Sequence, residues 1–397
     1  DEIVPALPKM ISDIVHRLLI KPAEERYQNA YGLLYDLRHA YQQWKEKGEI
    51  DEFELATHDF SLKFNIPQQL VGRENETSIL LESFARVSKR GVPEILFVTG
   101  YPGVGKSFLV EELHKSIVAR RGYFVSGKFE QFRRDVPYSA IIHAFIKLIR
   151  QVLVEGSEQI DIWKQKIQKA LGENAKVITD VIPQLKAITG DPPEVPELGP
   201  EEAENRFHHV FKHFLRVFST FEHPLVLVLD DLQWADIASL NLLQNVFTDP
   251  ENGYFFFIGT YRNNEVDESH ALQGVINKIL ASNVGLDSIH MTPLDNDSVR
   301  RLLGKFLRMK TGDVSSLADI IHSKTNGNPF FINQFMKRLY EKDMLTIDAR
   351  GKWTWNEQDI YNMQVTDNVV DLMLQKIRDI SLEAQEVLKV AGCIGNR

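Results

Sequence analysis

At 397 residues, with 43% hydrophobic and 25% charged side chains, the chain carries enough apolar material for two or three domains that fold without staples. A formal charge of −9 argues against duplex nucleic acid as a bulk partner, since such binding needs a concentrated basic face. The single cysteine, Cys393, sits among apolar neighbours and excludes an intrachain disulfide or a cysteine-rich metal site, which favours a reducing, cytoplasmic setting; no apolar run approaches the roughly 18 residues of a membrane helix.

Residues Ile11, Ile14, Val15, Leu18 and Leu19 form the apolar stripe of a helix that breaks at Lys21-Pro22. A second helix, carrying Leu33, Leu34 and Leu37, follows Ala23-Glu24-Glu25-Arg26-Tyr27, so residues 1–48 read as a helical hairpin. The hairpin also resembles the end of a protein-kinase C-lobe, where a leucine-rich helix, a Lys-Pro break and an arginine precede the last helix. That resemblance implies an activation-segment glutamate as partner for Arg26, whereas the pattern alone makes Arg26 a packing element. A kinase's glycine-rich loop, catalytic Asp and magnesium Asp are missing, so phosphotransfer by this segment alone is excluded. Residues 49–69, polar and charged with isolated Phe60 and Phe64, read as a tethered linker.

Val71-Gly72-Arg73-Glu74 opens a helix at a distance upstream of the next motif that suits contact with an adenine, though a charged helix start reads equally well. The run Glu94-Ile95-Leu96-Phe97-Val98-Thr99 is β-prone, and Leu109, Leu113 and Ile117 recur every four residues until Gly122 stops the helix. Between them lies Gly100-Tyr101-Pro102-Gly103-Val104-Gly105-Lys106-Ser107, a G-x-x-x-x-G-K-S loop. Glycines let consecutive N–H groups surround a polyphosphate, Lys106 adds a cation for the β and γ phosphates, and Ser107 offers a hydroxyl to magnesium. Gly100, Gly103, Val104, Gly105, Lys106, Ser107 and Phe108 are thus the expected nucleotide contacts.

A second strand spans 124–129 and an amphipathic helix 137–153; residues 191–200, with four prolines, make a surface excursion. In residues 201–218, Phe207, Val210, Phe211, Phe214, Leu215 and Phe218 recur at helical spacing, as core. Histidines 208, 209 and 213 lack the carboxylate of an H-E-x-x-H pattern and read as packing or solvated groups rather than metal ligands. Leu225-Val226-Leu227-Val228-Leu229 is a central strand that ends in Asp230-Asp231. At the carboxyl end of a parallel strand, Asp230 can reach magnesium through water while Asp231 orients or deprotonates the attacking water. A further strand, 254–260, leads to Arg262, read either as a γ-phosphate sensor or as an ion-paired surface arginine, and a fifth near Ile289-His290-Met291 completes the sheet. Short helices at 299–307, 314–321 and 332–339 form a helical lid, and the terminal part, with Trp353-Thr354-Trp355 and helices at 368–377 and 382–391, reads as winged-helix-like.

These motifs resemble the signal-transduction NTPases with numerous domains, a group loosely related to AAA proteins and to the ATPases of apoptosis and disease resistance. Carrying the resemblance are the phosphate loop with Lys106, the Leu-Asp-Asp-Leu-Gln-Trp-Ala-Asp segment at 229–236, the Gly-Thr-Tyr-Arg segment ending at Arg262, and Gly327-Asn328-Pro329. It implies that Pro329 packs near the adenine, and it leaves unmatched the histidine that senses the β-phosphate in some relatives. The order of segments is also similar to that of large hybrid sensor kinases, in which a kinase-like domain and this ATPase precede sensory and histidine-kinase modules. The chain opens at Asp1 and stops in mid-pattern, so a longer polypeptide is expected.

The expected fold is therefore α/β: a P-loop NTPase with a five-stranded, mainly parallel sheet at 70–293, a helical lid at 294–345 and a winged-helix-like domain at 346–397. The expected function is an ATP/ADP-binding, slowly hydrolysing, magnesium-dependent switch, whose partners are ATP, other domains of the same polypeptide and, in one arrangement, a nucleotide-dependent homo-oligomer. A scaffold that binds nucleotide for stability alone is the alternative; a DNA-handling ATPase, raised by the winged helix, is opposed by the net charge.

Overall fold

The computed structural model describes residues 7–21, 26–57, 59, 70–131, 136–249, 251–282, 284–348, 352–363, 377 and 381–394. Two compact units emerge: residues 1–69, 296–327 and 331–397 form one, and residues 70–295 with 328–330 the other.

The first unit begins with helices α1 (Lys9–Leu19) and α2 (Ala30–Lys47). Arg26 donates to the carbonyls of Ile20 (2.6 Å) and Lys21 (3.2 Å), so it satisfies the exposed end of α1, a capping role. Asn29 caps α2 by accepting from the Gly32 N–H, and Asp59 accepts from the backbone N–H groups of Gln28 and Asn29 just before it. The Pro22 break, Phe60 and Phe64, the expected helix at 368–377 save its last residue, and the thiol of Cys393 lie outside the described residues or side chains.

In the second unit, α3 (Glu74–Arg90) precedes β1 (Glu94–Gly100), which runs through the glycine-rich loop into α4 (Lys106–Glu111) and α5 (Leu113–Ala119). The single helix expected after the loop is thus interrupted at Glu112. Its end is also not what the glycine implied: Arg121, at φ +51°, is the left-handed residue. The Gly122 N–H bonds to Ile117 O at 2.9 Å and the Arg121 N–H to Val118 O at 3.0 Å, a Schellman pair. Gly122 is needed for space, because a Cβ there would stand 2.7 Å from the Pro224 carbonyl.

The sheet continues with β2 (Tyr123–Lys128), α6 (Ser139–Leu153), α7 (Ser157–Leu171), α8 (Ala175–Thr179), α9 (Lys186–Thr189) and α10 (Pro200–Phe218). Then follow β3 (Leu225–Asp230), α11 (Ile237–Phe247), β4 (Phe255–Tyr261), α12 (Ala271–Leu280) and β5 (Gly285–Met291). Five strands stand in the order β2-β3-β4-β1-β5, and every pairing is parallel. Alternation explains the continuous apolar runs. Leu225, Leu227, Leu229, Phe255 and Phe257 face a core with Phe145, Trp163 and Phe214, while Val226, Val228, Phe256 and Ile258 face Leu80, Phe84, Leu109 and Leu113 on the other side. A parallel sheet covered on both faces brings all its carboxyl ends to one rim: Gly100, Lys128, Asp230, Tyr261 and Met291.

The chain then forms α13 (Asn296–Leu307), α14 (Ser315–Thr325) and α15 (Pro329–Glu341). The last starts three residues before the expected 332, since proline's fixed φ and missing N–H suit the first helical position. β6 (Leu345–Ile347) and β7 (Trp353–Trp355) pair antiparallel, followed by α16 (Glu357–Asn362) and α17 (Leu382–Ile394).

Candidate functional site

The loop after β1 holds Gly100, Gly103 and Gly105 at φ +146°, +80° and +99°, a left-handed course that only glycines follow without strain. Gly103 is fixed from outside as well, because a Cβ would lie 2.8 Å from both Asn328 Oδ1 and Phe330 Cβ. Asn328 Nδ2 donates to Pro102 O at 2.9 Å and the Phe330 N–H to Gly103 O at 3.2 Å. Pro329 therefore stands between two residues that both grip the loop. Val104 is buried, while Ser107 is exposed and Phe108 half-buried.

Lys106 folds back on its own loop, with Nζ 2.8 Å from Gly100 O and 3.1 Å from Tyr101 O. Burial pushes its pKa below the ordinary lysine value; the Asp231 carboxylate opposes this, Arg262 adds to it, and Asp230 and Glu265 oppose it.

Two acids at the end of β3 point apart. Asp230 Oδ2 accepts from Ser107 Oγ at 3.1 Å, and Oδ1 from Thr260 Oγ1 at 2.7 Å. Asp231 leaves the strand at φ +58°, which turns its carboxylate toward Gln233 Nε2 at 3.0 Å, Lys128 Nζ at 3.1 Å and Arg262 Nε at 3.8 Å. Arg262 gives Nη1 to Glu265 at 2.6 Å, lies 4.8 Å over the Trp234 ring, and donates its backbone N–H to Gln233 Oε1 at 3.2 Å.

The structure thus brings Ser107, Lys106, Asp230, Asp231 and Arg262 to one rim. It commits Arg73 elsewhere: the buried guanidinium pairs with Glu76 at 3.0 Å and donates to Thr292 O, while Val71 is buried and Gly72 takes φ +73°. Thr260, Gln233, Lys128 and Asn328 were given no role in the sequence reading, although Gln233 and Thr260 lie inside the quoted 229–236 and Gly-Thr-Tyr-Arg segments. Three of them stand at or just beyond the carboxyl end of a strand, the position that singled out Asp230, and Asn328 lies inside the quoted Gly-Asn-Pro. Among the described residues no group of three or more His, Cys, Asp or Glu could hold a metal; His208 is buried and His209 and His213 face each other at 3.1 Å. The hydroxyl of Ser107 and the carboxylate of Asp230, 3.1 Å apart, are hard oxygen groups of the kind that could hold a magnesium ion.

Residues 69–258 match the AAA ATPase domain family, and with the phosphate loop and the parallel sheet this makes the fold that of a P-loop NTPase, which implies nucleotide binding. The chain is 29% identical to hybrid signal transduction histidine kinase G of Dictyostelium discoideum over 98% of this chain and 14% of that protein. It is 19% identical to the peroxide stress-activated histidine kinase mak3 of Schizosaccharomyces pombe over 98% of this chain and 20% of that one. The chain therefore spans a fifth or less of these curated relatives. Among solved structures, the ORC2 protein of Aeropyrum pernix, in ADPNP and ADP complexes, aligns at TM-score 0.46 and 13% identity over 80% of this chain and 73% of that one. No described helix is long and apolar enough to cross a membrane.

Proposed function

We propose that this chain is an ATP-binding, slowly hydrolysing regulatory switch, of the class of signal-transduction NTPases with numerous domains, acting in the cytoplasm within a larger hybrid histidine kinase. The observation that carries the reading is the convergence of Ser107 and Thr260 on Asp230 beside the phosphate loop. Three elements distant in sequence thereby share one carboxylate: Ser107 reaches it at the exposed rim, and the buried Thr260 hydroxyl from within the sheet. The place within a signalling kinase is supported by the two kinase relatives, each aligned over 98% of this chain.

In this reading the loop N–H groups and Lys106 bind the polyphosphate, and Lys106 must leave the Gly100 and Tyr101 carbonyls to do so. Ser107 and Asp230 would hold Mg2+, which supplies charge neutralisation at the phosphates when bound. Asp231 orients the attacking water, and Arg262 contacts the terminal phosphate. Pro329 packs near the adenine, with Val71 and Gly72 supplying backbone to the same base. A γ-phosphate shifts the arrangement of flanking domains only by its differential affinity for two states, and Arg262 provides that difference. The kinase-like, sensory and histidine-kinase modules of the same polypeptide are the partners that read it, with homo-oligomerisation one form of the output.

A turnover assay with and without magnesium tests this. Magnesium-dependent phosphate release that is lost in Asp231→Asn is the expected result; tight nucleotide binding with no release would instead support a nucleotide-stabilised scaffold.

A further inference from the structure

We infer that Gln233 is a positioning residue that fixes the water-directing carboxylate of Asp231 and the backbone of Arg262 with one side chain. The inference rests on the roles proposed above for Asp231 and Arg262. Gln233 belongs to the single 3₁₀ turn Leu232–Trp234 between β3 and α11, and it is 2% exposed. Both ends of its amide are used: Nε2 donates to Asp231 Oδ1 at 3.0 Å, and Oε1 accepts from the Arg262 N–H at 3.2 Å. Chemistry fixes which end is which. Reversing the amide would set its NH2 against the Arg262 N–H and its oxygen against a carboxylate, so both contacts would become repulsive.

The turn is held in its own right. His270 Nδ1 accepts from the Leu272 N–H at 3.2 Å, so its proton sits on Nε2, which donates to the Gln233 carbonyl at 3.2 Å. Gln233 is therefore tied through backbone and side chain to β3, to the end of β4 and to the start of α12.

Asp231 needs such a tie. A non-glycine residue at φ +58° occupies a sparsely populated region, and its carboxylate has swung away from the ladder that holds Asp230. Lys128 alone is a poor anchor, because its side chain is 63% exposed and solvent screens such a pair. A buried amide donating to a charged group is the stronger and more directional restraint.

Two variants in an otherwise intact chain test the inference. Gln233→Leu removes both contacts. Gln233→Glu keeps an acceptor for the Arg262 N–H but sets a second carboxylate against Asp231. Single-turnover ATP hydrolysis and ADP affinity are measured in each, alone and combined with Asp231→Asn, with thermal melting as the check on folding. The expected result is hydrolysis slowed by about 10- to 100-fold in both variants, ADP affinity kept within about 3-fold, and little further loss when either is added to Asp231→Asn. Gln233→Glu should also keep the parent's preference between ATP and ADP, whereas Gln233→Leu loses part of it. A parent-like rate in either folded variant overturns the inference, as does a loss that multiplies in full with that of Asp231→Asn; should Gln233→Leu fail to fold, Gln233→Glu decides alone. If Asp231→Asn itself hydrolyses at the parent rate, the roles assigned to the site fail first, and Gln233 then positions nothing.

Discussion

Ser107 Oγ lies 3.1 Å from Asp230 Oδ2 across 123 residues of sequence. The contact joins the first turn after the phosphate loop to the end of the neighbouring-but-one strand, and Thr260 closes it from between at 2.7 Å. A hydroxyl and a carboxylate so placed suit a hard cation. Asp230→Asn is therefore expected to raise the magnesium concentration needed for tight ATP binding by about 10-fold or more, as an order of magnitude for losing one charged oxygen donor. Asp231→Asn, whose carboxylate points to Gln233 and Lys128 instead, should keep ATP binding and slow only its hydrolysis. Magnesium titrations of nucleotide binding, run beside turnover, separate the two; identical behaviour of both variants would show that the acids do not divide these duties.

Most of the sheet was legible because it is buried on both faces, so β3 and β4 appear as unbroken apolar runs. Their last residues were not. Asp230 continues the ladder opposite Lys128, and Tyr261 opposite Thr99, at the rim where hydropathy falls away while pairing persists. The pair of acids could be read from position, but not the left-handed turn at Asp231, which depends on what Gln233 and Thr260 offer its carboxylate and N–H. Arg73 shows the opposite limit. A short charged signature fitted a nucleotide contact or a helix start equally well, and only the Thr292 carbonyl, 219 residues away, decided where the guanidinium goes.

Lys106→Ala should abolish tight ATP binding and leave the fold intact, since among the described residues the side chain bonds two carbonyls of its own loop. The lysine also predicts a pH dependence. Burial holds its pKa below the ordinary 10.5, so in alkali the free protein loses this proton earlier than an exposed lysine would. Phosphates favour the protonated form, so binding takes up a proton there and ATP affinity weakens as pH rises through the lowered value. Calorimetry in buffers of different ionisation enthalpy measures that uptake; unchanged affinity in the alanine variant would remove Lys106 from the site.

His208 makes acid stability testable. Asn245 Nδ2 donates to its Nδ1 at 3.1 Å, which leaves the proton on Nε2, 3.3 Å from the Tyr138 hydroxyl. Burial lowers its pKa from 6.5, opposed by the Glu204 carboxylate and reinforced by Lys212. A histidine depressed in the folded state contributes stability that is whole above 6.5 and is lost as pH falls through the lowered folded value. The melting temperature of the parent should thus drop on acidification below that point, and His208→Gln should drop less over the same range. Parallel acid profiles for the two proteins would show that another group governs the loss.

Arg262 carries the last prediction. Its guanidinium now pairs with Glu265 at 2.6 Å over the face of Trp234, a position 3.8 Å from the Asp231 carboxylate and on the rim shared with the phosphate loop. A terminal phosphate competes with Glu265 for the same donors. The contact is charge-assisted, roughly twice as strong as a neutral hydrogen bond, and ADP cannot make it. Arg262→Ala should therefore bind ADP like the parent but lose about 10-fold or more of its preference for ATP, while Glu265→Gln, which frees the guanidinium, should strengthen that preference. Small-angle scattering of the parent with ADP and with a non-hydrolysable ATP analogue should show two shapes, and the Arg262→Ala variant one. The backbone N–H of residue 262 survives the substitution and still bonds Gln233 Oε1, so a loss of response can be assigned to the side chain. A variant that changes shape as the parent does would place the sensor elsewhere on the rim.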